Sequence, residues 1–114
     1  MRAIALFLLG ACATQSHVTF AISLTSHRAN TAIVINGAMV DAGGDAPRAL
    51  TVKYQFDDWG MAMNAHYQVQ AFAGGALVGE LAVTPMGCAD GDTETAAVDL
   101  HTDGTFALFG DSCM

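Results

Sequence analysis

The stretch AHYQVQAFAGGALVGELAV, residues 65–83, carries the reading of the fold. Ala65, Tyr67, Val69 and Ala71 alternate with His66, Gln68 and Gln70; beyond Gly74-Gly75, Leu77, Gly79, Leu81 and Val83 alternate with Val78, Glu80 and Ala82. A period of two is the mark of strands with one buried face. If Gly74 and Gly75 alone formed the turn, Leu81 would stand opposite Gln68 and Val69 opposite Glu80, mixing apolar and polar side chains on each face. A three-residue loop, Ala73-Gly74-Gly75, predicts instead Ala71 opposite Leu77, Val69 opposite Gly79, Tyr67 opposite Leu81 and Ala65 opposite Val83. It also supplies a glycine where the bulge of such a loop needs positive φ. The odd-numbered residues of both arms then face one core, and Gln68 and Gln70 face out.

Outward from this hairpin the same period recurs. Val18, Phe20, Ile22 and Leu24 mark a first strand, and Ala32 to Val40 a second, central one, with Ile33, Ile35 and Met39 on one face and Val34 and Val40 on the other. The run Asp41 to Pro47 is turn chemistry, and its proline cannot donate to a central ladder. Leu50, Val52, Tyr54 and Phe56 give a third strand, Ala96, Val98 and Leu100 a sixth. Asp103-Gly104 signals a second hairpin, whose three-residue loop, Thr102-Asp103-Gly104, predicts Leu100 opposite Phe106 and Val98 opposite Leu108. Seven strands with no credible ten-residue helix between them indicate an all-β chain, a seven-stranded antiparallel β-sandwich, with a small β-barrel as the alternative. It is immunoglobulin-like only in the broad sense, because the second strand has no cysteine and the third no tryptophan.

At 114 residues the chain has room for one core, and an apolar content of 53% against 13% charged argues against disorder. The net charge of −7 is uneven: all acids except Asp41 and Asp45 follow Lys53, and no Lys or Arg does. Nucleic acid is therefore excluded as a partner class, since phosphate contacts need the opposite sign. Residues 1–13 read as an export segment ahead of a sandwich domain at 14–114: Met1-Arg2 is positive, Ala3 to Leu9 apolar, and Leu9-Gly10-Ala11-Cys12 has the form of a bacterial lipobox. The run is too short to span a bilayer and shorter than the usual leader. Cleavage before Cys12 with lipidation of Cys12, cleavage after Ala13, a start further upstream and a plain apolar first strand are the alternatives. A lipid on Cys12 would be the only link to a membrane. It would leave Cys88 and Cys113 as an even pair, and in an exported chain the pair is expected to be a disulfide.

Strict reversal at every connection sorts the loops into two ends. One receives the N-terminal segment, the 41–47 loop and both glycine turns. The other, distal to a lipid on Cys12, receives Ser26 to Asn30, Asp57 to Asn64, Pro85 to Thr93 and the tail. Loops on a rigid scaffold are where binding concentrates, so His27, Arg28, Asp57, Asp58, Trp59, Asp90 and Asp92 are the expected partner-binding residues. Trp59 is the candidate aromatic anchor. Asp90, Asp92 and Glu94 have the alternate spacing of a calcium loop, without the glycine and glutamate of an EF-hand at Thr95 and His101. His27, Met61, Met63, His66 and Met86 offer imidazole and thioether donors suited to copper. No nucleophile motif, phosphate-binding glycine loop or Cys-x-x-Cys is present. The expectation is a non-enzymatic, exported module, free of cofactors, that binds a protein partner as an assembly accessory or inhibitor. A periplasmic calcium or copper protein is the alternative.

Overall fold

The computed structural model describes residues 17–114, so the export segment, Cys12 and the domain start at 14 lie outside the described residues. In chain order the elements are β1 (Val18–Ser26), β2 (Ala32–Ile35), β3 (Ala38–Asp41), β4 (Arg48–Phe56), α1 (Trp59–Asn64), β5 (Tyr67–Ala73), β6 (Ala76–Val83), β7 (Thr93–Leu100) and β8 (Phe106–Cys113). Two four-stranded sheets, ordered β4-β1-β7-β8 and β3-β2-β5-β6, enclose one core and make a β-sandwich. The alternating residues supply that core. Val18, Phe20, Ile22 and Leu24 of β1, Ala96, Val98 and Leu100 of β7, Ile33 and Ile35 of β2, and Tyr67, Val69 and Ala71 of β5 are all buried. Phe20, Tyr67 and Tyr54 stack across the sheets, with ring centroids 4.7 and 5.1 Å apart.

The strand count is eight, because the expected second strand is a hairpin. Asn36 (φ 51°) and Gly37 (φ 81°) turn the chain back within it, which is the two-residue turn that Asn-Gly favours. β2 is central as expected, while β3 is an edge and Met39 is exposed. One pairing departs from antiparallel: β1 and β7 run parallel, Ile22 opposite Ala96. Both are inner strands of their sheet, the usual setting for a parallel pair.

The 65–83 hairpin does not keep the expected register, and it keeps the expected faces except at Leu77, which is expected inward but pairs with Phe72 on the outer face and is 48% exposed. Its turn is the two-residue Gly74-Gly75 with Ala73 opposite Ala76, and a bulge at Val78 then shifts the ladder, so that Val69 faces Leu81 and Tyr67 faces Val83. The extra residue restores the parity that a bulge-free two-residue turn would have broken. Gln68 and Gln70 lie outside and donate to Glu80. In the second hairpin Leu100 faces Phe106 and Val98 faces Leu108, as the sequence predicts.

The added hairpin exchanges the ends of the two connections that precede it, the entry to β1 and the 26–30 loop, and leaves the others as expected. His27 N–H bonds Leu100 O, Arg28 bonds Thr102 O and Asn30 N–H bonds Gly44 O. The 27–31 segment therefore shares an end with the 42–47 loop and both glycine turns. Arg48 clamps that end, donating to the Asp41 carboxylate and to Gly43 O. At the other end His17 N–H bonds Phe56 O, Gly91 N–H bonds His17 O, and Thr93 and Met114 exchange a pair of backbone hydrogen bonds. The described chain thus enters and leaves at the end carrying α1 and the 84–92 loop.

Candidate functional site

Glu94 organises this end. It belongs to the even-numbered set of β7 that points inward, and it is fully buried beside Ala96 and Val98. A buried carboxylate needs donors. Glu94 Oε2 accepts the Met86 N–H at 2.9 Å and Oε1 accepts the Gly87 N–H at 2.8 Å, tying the 84–92 loop to the sheet. Gly87 has φ +92°, and a Cβ there would lie 3.1 Å from Met63 Sδ, so the loop runs close against α1.

A bulge brings a second carboxyl to the first. Phe109 is the extra residue between the pairs Val98-Leu108 and Ala97-Gly110, and beyond it Asp111 faces Ala96 and Cys113 faces Glu94. Without it Gly110 and Ser112 would point inward. Asp111 Oδ1 is buried with no donor to it. Burial, then a hydrogen bond with Glu94 and its charge, push the Asp111 carboxyl up to about 7. Burial raises Tyr67 to about 12, aided by Tyr54 and Glu94. The same turn of β8 aims Cys113 at Cys88, and the two form a disulfide with Cα atoms 5.9 Å apart.

α1 closes the end of the core. Asp58 is its N-cap and accepts the Met61 N–H at 2.8 Å. Trp59 is 7% exposed, its indole N–H donating to Ala89 O at 3.3 Å, so it caps the core and is not an exposed anchor. Tyr67 OH donates to Ala62 O at 3.0 Å. Asp57 and Asp90 are exposed and Asp92 half-buried at this end. His27 and Arg28 stand at the opposite end, His27 3.8 Å from Asp99 and Arg28 on Thr102 O, so the expected set does not form one surface.

The metal sets are not assembled either. Glu94 points into the core while Asp90 lies on the surface, and no group of three or more His, Cys, Asp or Glu among the described residues is placed to hold a metal ion. His27 is remote from the other copper candidates. Met63 follows Trp59 by one helical turn, whereas Met61 is about 200° from Met63 around the axis and points away from the loop. What this end does gather is exposed thioether surface: Met61, Met63, Met86 and Met114 are 51%, 41%, 64% and 88% exposed.

No protein-family model matches the chain, and no curated protein or solved structure matches it either. The sequence singles out Glu94 only as a calcium ligand, not as a buried carboxylate, and Asp111 not at all. Parity would have found the first, since position 94 continues the inward series 96, 98, 100. Nothing in the sequence marks the Phe109 bulge that turns in the second.

Proposed function

We propose that the chain is an exported, non-enzymatic binding module that engages a protein partner through the end built from α1, the 84–92 loop and the C-terminal residues. The observation that carries this reading is the exposure of Met63, Met86 and Met114 at that end, with Met63 lying against the loop that carries Met86. Methionine buried in a core fills gaps, but exposed on a rigid support it offers an adaptable apolar contact surface. The support is rigid here because Glu94, the Trp59 indole and the Cys88–Cys113 disulfide each fasten the loop. Export draws support from that disulfide, which an oxidising compartment maintains, and from the leader-like residues 1–13. No helix among the described residues is long and apolar enough to cross a membrane.

Anchoring through a lipid on Cys12 is the finer form of the proposal, and it inverts the expected orientation. The five residues from Cys12 to His17 reach at most about 18 Å, and His17 sits at the methionine end. A tethered molecule would hold this end towards the membrane, and its partner would be met there. Photo-crosslinking residues placed at Met63 and Met86, with Thr51 on the outer face of β4 as control, test the reading in producing cells. The expected result is one discrete adduct from the two methionine positions and none from Thr51. Equal labelling from all three, or none, overturns it. The mass of the mature N-terminus decides lipid and leader in the same preparation.

A further inference from the structure

We propose that Glu94 and Asp111 hold a single proton between them, and that this proton locks the 84–92 loop and the last strand onto the sandwich and releases them when it leaves. The device is independent of any partner. Both oxygens of Glu94 are occupied as acceptors, by Met86 N–H and Gly87 N–H. The proton therefore resides on Asp111, whose buried Oδ1 otherwise has no hydrogen-bond partner. With it, the two carboxyls attract each other; without it, two like charges face one another, that of Glu94 fully buried and that of Asp111 half-buried. The pair joins the 84–92 loop to the end of β8, adding to the Trp59–Ala89 and Gly91–His17 hydrogen bonds and the β7–β8 ladder. Glu94 carries the loop, Asp111 the end of β8, and the Cys88–Cys113 disulfide ties the same two segments covalently, so loss of the proton loosens them without detaching them.

Among the described residues no cation stands close enough to replace the proton. β8 presents Asp111 and the disulfide-bonded Cys113 to Glu94, β5 presents Tyr67 with Tyr54 of β4 behind it, and β1 presents Val18 and Phe20. From the loop come Cys88, whose Sγ is 3.9 Å from Glu94 Oε1, and further out Asp90 and Asp92. α1 contributes its cap Asp58, which is exposed, and β6 carries Glu80 on its outer face. His17 and His66 are exposed, Lys53 is on the outer face of β4, and Arg28 and Arg48 are at the far end. The switching range is set by Asp111, which burial and Glu94 place at about 7.

Two measurements on the whole protein test this. The carboxyl ¹³C resonance of Asp111 is expected to titrate within about one unit of neutrality; a single midpoint in the ordinary carboxylate range overturns the proposal. Amide exchange at Met86 and Gly87, corrected for the intrinsic pH dependence, is expected to lose roughly tenfold in protection between pH 6 and 8.5 while Phe20 and Ile22 keep theirs. In Asp111→Asn that loss should vanish, because the amide stays neutral and still donates to Glu94. Loss of protection that persists in Asp111→Asn, or that is absent from the wild type, overturns the proposal. If Asp111→Asn does not fold, the two wild-type measurements decide.

Discussion

Replacing Tyr67 by Phe removes one hydroxyl and leaves the Ala62 carbonyl with the Ala65 N–H as its remaining donor, an exchange that should cost about 1 kcal/mol in denaturant melts. Asp58→Ala removes the cap of α1 and should cost a similar amount, about 1 kcal/mol, with the loss visible as fraying around Trp59 in fluorescence. The pH dependence has a definite sign. Asp111 binds its proton more tightly in the native chain than in the unfolded one, so its contribution to stability is complete below the ordinary carboxyl range and declines as pH rises to about 7. The difference in melting temperature between wild type and Asp111→Asn should therefore shift in favour of the variant across pH 4 to 7.5. A constant difference would show that Asp111 does not titrate in that range. At this scale much was readable: the inward residues of β1, β4, β5 and β7 follow from alternation alone. The burial of Trp59 was not, because a six-residue helix carries too little periodicity to say which face is covered.

The sheets touch most closely where β6 passes the β7–β8 turn. A Cβ on Gly79 would lie 1.9 Å from Gly104 O, and one on Gly104 2.8 Å from Val78 O. Gly79→Ala should push the two edges apart and cost roughly 3 kcal/mol, at the upper end of overpacking penalties. Gly74→Ala meets nothing within 4 Å, and should cost only the roughly 1 kcal/mol of a left-handed residue. Equal losses in the two variants would mean that the contact is not limiting. Three bulges place their extra residues, Val40, Val78 and Phe109, on the edge strands β3, β6 and β8. Bulged edges twist away from a flat ladder and discourage pairing with other chains. These bulges also mark where sequence reasoning stopped. Face parity follows from hydrophobic pattern and was correct in both long hairpins except at Leu77, which lies on the turn side of the Val78 bulge and faces out, whereas register depends on one inserted residue that the pattern tolerates equally well at several places. Asn36-Gly37 is different: its turn chemistry was present in the sequence, but the continuous apolar run around it outweighed the signal.

Reduction of Cys88–Cys113 opens a loop of 25 residues, and should lower stability by about 3 to 4 kcal/mol on the chain-entropy estimate. The unreduced, denatured protein should show no free thiol at either position by mass-resolved alkylation. That pairing could be argued from sequence because β6 and β8 run the same way, a relation that survives the added Asn36-Gly37 hairpin. The sorting of loops into ends could not, because one unrecognised reversal exchanges the ends for every connection before it while leaving those after it in place. That exchange also puts entry and exit together. β1 and β8 flank β7, so His17 and Met114 lie about 10 Å apart at ordinary strand spacing. A short linker joining them, with the chain reopened between Gly74 and Gly75, would yield a circular permutant with the same neighbours in both sheets. The order in which its strands leave the ribosome would be different, and its melting temperature against that of the parent would tell whether this sandwich depends on making β1 first.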